Sequence, residues 1–290
     1  MLFEGFTSRR IETSGAEIHC RCAGSGPPLL LLHGYPQTHV IWHKIAAELA
    51  RRFSVVATDL RGYGDSTKPH GTPDHANYSK RASALDQVEV MRALGHEDFF
   101  VVGHDRGGRV AHRMALDHPG RVRKLVVLDI VPTRSMFMKV NRELAKAYYH
   151  WFFLARPEPF PETLIGANPE YYLKSALGAW HAGLAPFPEA AMAEYLRCFA
   201  DPATIHASCE DYRAAESIDL EHDEADLHRK VSCPLLVLWG RHTTIARCFS
   251  PLAEWQERAV DVRGRALDCG HYLPEELPEE TLAELLGFLE

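Results

Sequence analysis

Four apolar runs in the first half of the chain constrain its fold more than any other feature: "PPLLLLHGYP", "FSVVATDLRGYGDS", "DFFVVGHDRGG" and "VRKLVVLDIVP". Each is continuously apolar rather than alternating, which predicts strands covered on both faces and therefore a parallel sheet. Between them, His43 to Arg52 and Ser79 to Leu94 carry apolar residues at 3.6-type spacing, and Leu94-Gly95 supplies a stop to the second. Strand and helix thus alternate as βαβ units with right-handed crossovers. A chain of 290 residues can bury a substantial core as one such domain, with or without an insert.

After Pro132 the texture changes. From Met136 to about Asp226 the chain is rich in Tyr, Trp, Phe, Ala and Glu and shows no strand-like run, which predicts a helical insert of roughly 90 residues, a common size for a small domain or lid. Sheet texture returns with "CPLLVLWG" and a shorter "AVDVRG", and "GHYLPEELPEETLAELLGFLE" places His271 on a loop ahead of a C-terminal helix. The expected division is a core of residues 1–134 and 227–290 around a helical cap of 135–226.

The formal net charge of -7, with basic residues scattered, argues against a nucleic-acid partner. No window approaches the roughly 20 apolar residues that span a bilayer, and the N-terminus lacks a signal-type apolar region. A soluble cytoplasmic protein is expected. The seven cysteines include no C-x-x-C pair or metal-ligand spacing and read as reduced thiols, with Cys20 and Cys22 on one face of a strand.

Chemistry concentrates in Gly103-His104-Asp105-Arg106-Gly107, a G-x-D-x-G directly after "FFVV" and before a helical pattern. Glycines there allow a sharp strand-to-helix turn that exposes the middle side chain. The chain contains no G-x-S-x-G, which counts against a serine esterase.

In their order, "HGYPQT", "DLRGYGDS", "GHDRGG", "VLDI" and "CGHYLPEE" resemble the α/β-hydrolases with an aspartate nucleophile. An Asp-Arg pair with a second arginine three residues on, together with "YHW" and "EDYRA", most resembles the fluoroacetate dehalogenases. The resemblance implies an α/β-hydrolase fold, with a mostly parallel twisted sheet, helices on both faces and a helical cap. It implies hydrolysis of short 2-haloacids, haloacetate or fluoroacetate and water giving glycolate and halide, with no metal or organic cofactor and a homodimeric assembly.

The nucleophile follows from reactivity. A serine alkoxide displacing halide from an sp³ carbon leaves an ether, whereas Asp105 leaves an ester that water can cleave. His271 is expected to activate that water. Of the two places where this fold carries the orienting acid, "LVLWGRHTT" offers no carboxylate and "VVLDI" offers Asp129; Asp268, so near His271 in sequence, reads as a loop cap. Backbone N–H groups of Tyr35 and Arg106 are expected to stabilise the oxyanion.

Arg106 and Arg109 lie three apart on one helix face, so both guanidiniums can reach one carboxylate of an anionic halogenated substrate. By resemblance, His150, Trp151 and Tyr212 donate to the departing halide, and Trp180 shapes the pocket wall. His33 is expected to organise a loop and His104 to pack under the turn, while Arg241 and His242 depart from the small neutral residues expected in their loop. The alternative is an epoxide hydrolase with the same triad and proton donors among Tyr148, Tyr149 and Tyr212. A binding protein that keeps the fold without turnover is a third reading.

Overall fold

The computed structural model describes residues 2–290. The expected apolar runs form β3 (Pro28–Leu32), β4 (Ser54–Thr58), β5 (Phe99–His104), β6 (Val122–Leu128), β7 (Leu235–Gly240) and β8 (Val262–Leu267), preceded by β1 (Thr7–Glu12) and β2 (Glu17–Ala23). They make one eight-stranded sheet in the order β1-β2-β4-β3-β5-β6-β7-β8. From β4 to β8 all pairings are parallel, whereas β1 with β2 and β2 with β4 are antiparallel. The edge strand β1 had no apolar signature because its residues, TSRRIE, are almost all exposed.

Alternate residues of the parallel strands enter two separate cores. Leu30, Leu32, Val56, Val101, Val127 and Val237 face one, and Leu29, Leu31, Val55, Val102, Val126 and Leu236 face the other. Both sets are essentially solvent-free, which is why the runs read as continuous rather than alternating. Each such side chain contributes about 1.5–3 kcal/mol of burial.

The helix expected over Ser79–Leu94 is α1 (Lys80–Ala93), with the Ser79 side chain accepting from the Ala82 N–H as its N-cap and Leu94 as C-cap. The helix expected over His43–Arg52 is different: a 3₁₀ turn at His39–Trp42 precedes a helix of only Ala46–Leu49. Two i→i+3 bonds, His43 N to Val40 O (2.9 Å) and Ile45 N to Trp42 O (3.0 Å), wind this stretch too tightly for a continuous α-helix. Asp59 Oδ1 accepts the His39 N–H at 2.8 Å and pins the turn to the end of β4.

After β5 comes α2 (Arg106–Asp117). Between β6 and β7 the described residues run through eight helical segments, from Thr133–Met138 to Ile218–Ala225, with no strand. Two carry candidate site residues: α3 (Tyr149–Leu154) and α4 (Pro202–Glu216). Their apolar faces, including Trp151 and Tyr212, join the core that contains Val101 and Val127. Cys20 and Cys22 lie on one face of β2 with their sulfurs 3.7 Å apart. No helix among the described residues is long and apolar enough to cross a membrane.

Candidate active site

The carboxyl ends of β5 and β6 carry the two central carboxylates, where ligands commonly sit in open α/β sheets. Asp105 follows β5 with φ 46° and ψ -114°, and Asp129 follows β6 with φ 50°. Non-glycine residues adopt positive φ at a cost of order 1–3 kcal/mol each when the surroundings enforce it. The turn around Asp105 is packed too closely for side chains on its glycines. A Cβ on Gly107 would stand 2.4 Å from His33 O, one on Gly103 2.5 Å from Gly107 O, and one on Gly34 2.4 Å from Asp105 Cβ. Gly34 is a third glycine of the turn, supplied by the "HGYP" loop.

His271 Nδ1 donates to Asp129 Oδ2 at 2.6 Å. Since an ionised carboxylate only accepts, this bond fixes the neutral ring as the Nδ1–H tautomer and leaves Nε2 as the basic atom. The other oxygen of Asp129 accepts from the Gly240 N–H (3.1 Å) and the Thr243 hydroxyl (3.0 Å). The "WGRHTT" segment, which lacks a carboxylate, thus holds the carboxylate that β6 provides. Asp268 instead accepts from His242 Nε2 at 2.8 Å on the surface, and Arg241 and His242 are both exposed.

Burial would lower the His271 pKa, but the hydrogen bond and charge of Asp129, with Asp105 and Glu276, outweigh it and raise the imidazole above its ordinary value. For Asp105, burial would raise the carboxyl, yet His271, His104, Arg109 and Arg106 hold it below the usual carboxylate value. Asp105 is therefore ionised at neutral pH. The Tyr35 N–H donates to Asp105 Oδ1 at 3.0 Å, while Arg106 opens α2 directly after Asp105. His33 ties the loops together, donating from Nδ1 to Gly34 O and accepting the Leu60 N–H at Nε2, at 2.9 and 3.0 Å. His104 donates from Nε2 to His271 O at 2.9 Å.

The two arginines are both buried, but their partners differ. Arg106 gives Nε to Asp211 Oδ2 (2.8 Å) and Nη2 to Asp211 Oδ1 (3.0 Å) and carbonyl (2.8 Å). Asp211 also accepts from the Tyr63 hydroxyl (2.8 Å) and from Lys80 Nζ. Arg106 Nη1 is left buried without a partner. Arg109 has no carboxylate at ion-pair distance among the described residues; its Nη1 donates to Val131 O (2.9 Å) and the Thr133 hydroxyl (3.2 Å). Burial, then repulsion from Arg106, brings its pKa down to about 10, so it remains charged at neutral pH.

Between the arginines stands Trp151, its ring 5.3 Å from the Arg106 guanidinium carbon and 4.5 Å from that of Arg109. Tyr212 lies 4.2 Å from Arg106. The rings of Trp151 and His150 are 5.7 and 5.8 Å from Tyr212. Trp151 Nε1 and Tyr212 Oη are buried donors without a partner, as is the hydroxyl of Tyr148. Burial pulls His150 down to about 4, so its ring is neutral and offers one N–H.

A cavity of ≈ 90 Å³ is walled by Asp105, His271, Tyr35, His150, Trp180 and Tyr212, among others, with Tyr148 and Tyr149 also on it. Trp180 lies over His271, ring centroids 4.9 Å apart. Arg106, Arg109 and Trp151 are not part of the wall itself; they reach it through their packing on Tyr212 and on one another. Asp211, Lys80, Thr243 and Gly34 complete the site and had not been singled out from sequence. Asp211, Gly34 and Thr243 lie inside the "EDYRA", "HGYPQT" and "LVLWGRHTT" segments, whereas Lys80 carries no such signal.

Comparison with known proteins gives the family. The family profile described as alpha/beta hydrolase fold matches residues 27–276. A fluoroacetate dehalogenase of Burkholderia sp is 48% identical over 289 residues, covering 99% of this chain and 95% of that protein. A soluble epoxide hydrolase of Corynebacterium sp. (strain C12) is 34% identical, covering 97% and 96%. The crystal structure of ALR0039 from Nostoc sp PCC 7120, assigned as an α/β-hydrolase, superposes with a TM-score of 0.98 at 61% identity over 99% of both chains.

Proposed function

The chain belongs to the α/β-hydrolase family and is a hydrolase, and from that premise we propose that it cleaves the carbon–halogen bond of short 2-haloacids such as chloroacetate and fluoroacetate. One observation carries the reading: three buried donors without partners, Tyr212 Oη on the cavity that Asp105 lines and Arg106 Nη1 and Trp151 Nε1 packed behind Tyr212, are all suited to anions. Uncompensated buried donors cost about 1–3 kcal/mol each, and a carboxylate and a halide relieve that cost together. The 48% identical fluoroacetate dehalogenase supports the same substrate class.

In the first step an oxygen of ionised Asp105 forms a bond to the α-carbon and halide leaves with its electron pair, received by His150, Trp151 and Tyr212. Arg106 and Arg109 hold the substrate carboxylate and so aim the α-carbon at Asp105. In the second, water adds to the Asp105 ester carbonyl and gives its proton to His271 Nε2, with Asp129 stabilising the imidazolium. The Tyr35 and Arg106 N–H groups meet the oxyanion; its collapse expels the glycolate alkoxide, which takes the proton back from His271, and the proton left on the Asp105 carboxyl is lost to solvent, restoring the carboxylate. The helices from Thr133 to Ala225 act as the cap over this pocket, Trp180 forms part of its wall, and the assembly is a homodimer.

The test replaces His271 with Asn, supplies chloroacetate and weighs the peptide containing Asp105. The ester mass should accumulate; unmodified peptide, despite halide release by the parent, would overturn the two-step scheme. A second reading, epoxide hydrolysis, is favoured by the Tyr148 and Tyr212 hydroxyls, both on the cavity, without partners and kept protonated by burial. Diol formation from a simple epoxide, measured against halide release from chloroacetate, separates the two.

A further inference from the structure

His271 is held by its side chain through Asp129, but its main chain is held as closely. The N–H groups on either side of it, those of Gly270 and Tyr272, both donate to the carboxylate of Glu276, at 2.6 Å to Oε2 and 2.9 Å to Oε1. The peptide between them gives its carbonyl to His104 Nε2. Burial brings the His104 pKa down to about 3, so that ring stays neutral and its donor stays in place across the working pH range.

Gly270 is what lets the carboxylate in. A Cβ at that position would stand 2.8 Å from Glu276 Oε2 and 2.8 Å from His181 Cβ. Glu276 closes the short helix Leu273–Glu276, in the same "CGHYLPEE" segment that supplies His271, and the proposed reaction gives it no other part. Charge-assisted bonds of this kind are about twice as strong as neutral ones.

We propose that Glu276 is a positioning residue for the hydrolytic half of the reaction: its carboxylate clasps the peptide on both sides of His271 and so keeps the imidazole presented to Asp105. The inference rests on the reading of His271 as the base that activates water. Every element packed on the ring bears on its charge. Asp129 follows β6, His104 ends β5 and Asp105 follows it, His150 comes from α3, and the rings of Trp180 and Tyr272 lie tilted and edge-on at 4.9 and 5.0 Å. Burial disfavours the imidazolium, whereas the negative charges of Asp129, Asp105 and Glu276 favour it.

Two substitutions separate position from charge. Glu276→Gln keeps one acceptor and loses the charge; Glu276→Ala loses both. Rapid-mixing experiments with chloroacetate read two rates: the halide burst, which reports attack by Asp105, and steady-state glycolate release, which reports ester hydrolysis. The burst should stay within about twofold of the parent in both variants, while hydrolysis falls about tenfold or more in Glu276→Ala and less in Glu276→Gln. The acid limb of the hydrolytic pH profile should move to lower pH in both, because a negative charge that favours imidazolium is gone.

Parent-like hydrolysis with an unmoved limb overturns the proposal. So does an equal fall of burst and hydrolysis, which marks general loosening; unfolding curves recorded alongside show whether the fold itself has suffered. The His271→Asn control keeps the two levels apart. If that variant accumulates no ester, the underlying reading falls and this one with it; if it accumulates ester while Glu276→Ala turns over normally, only the role of Glu276 falls.

Discussion

Arg106 and Asp211, 105 positions apart in the chain, form a buried pair that engages both carboxylate oxygens and leaves Nη1 as the unpartnered guanidinium nitrogen. Asp211 pairs with Arg106, whereas Arg109 is the buried arginine of the two that has no carboxylate at ion-pair distance among the described residues. In the proposed reaction the two arginines then divide the work: Arg106 offers the two N–H groups of Nη1, and Arg109 offers charge.

Breaking the pair exposes that division. Asp211→Asn leaves Arg106 and Lys80 buried without their common counterion, and loss of one partner from a buried ion pair costs about 3–5 kcal/mol. Urea unfolding should show a destabilisation of that size, and the haloacetate KM should rise in the protein that remains folded.

Arg109→Leu should raise KM for chloroacetate by roughly 10–150-fold, the equivalent of about 1.5–3 kcal/mol for a hydrogen bond to a charged group. The discriminating measurement uses chloroacetamide, which lacks the carboxylate. The parent should prefer the acid strongly over the amide, and the variant should not; a preference that survives the substitution would mean that Arg109 does not read the carboxylate.

Trp151→Phe and Tyr212→Phe each delete a buried donor while keeping most of the ring packing. Halide release should slow by roughly 10–150-fold in each, by the same range of about 1.5–3 kcal/mol per bond to an anion. Hydrolysis of an Asp105 ester already formed should be unchanged, since no halide remains in that step.

The pH dependence follows from the signs already found. In the proposed reaction water activation needs neutral His271, whose pKa is raised, so hydrolysis should fall as pH drops through a value above that of ordinary histidine. Asp129→Asn removes the strongest of the groups that raise it. Its acid limb should move to lower pH while the hydrolytic rate falls by about 10²–10⁴, the usual worth of general base catalysis.

Stability has a separate pH signature away from the site. Burial pushes the Glu275 carboxyl up to about 8, against the hydrogen bonds from Tyr195 and Gln37 that favour its ionised form. The folded protein thus keeps a proton there that the unfolded chain releases near 4.5, so this group lowers stability progressively as pH rises between those values. In Glu275→Gln that decline should vanish from melting temperatures recorded across the window, with the largest gain over the parent near pH 8.

Sequence reading reached those features whose cause is local. The turn at Asp105 was legible because its glycines and its flanking strand and helix are adjacent in the chain, and α1 because Ser79 and Leu94-Gly95 mark its ends. Asp129 was reached by elimination, and its carboxylate lies 2.6 Å from His271 Nδ1. What escaped depends on distant partners. Asp211 meets Arg106 and Lys80 only after the helices beyond β6 fold back over α1 and α2, and Thr243 counts only once β7 lies beside β6. The segment His43–Arg52 has helical spacing, but Asp59 and the i→i+3 bonds around it decide its winding.

Asp105 and Asp129 both sit at positive φ, where glycine relaxes more readily than aspartate. Random substitution followed by selection for heat resistance alone will therefore be drawn toward these two positions and will return sturdier, silent proteins. A screen meant to harden this fold must demand turnover at every round, because the most accessible gains in robustness lie where the chemistry is.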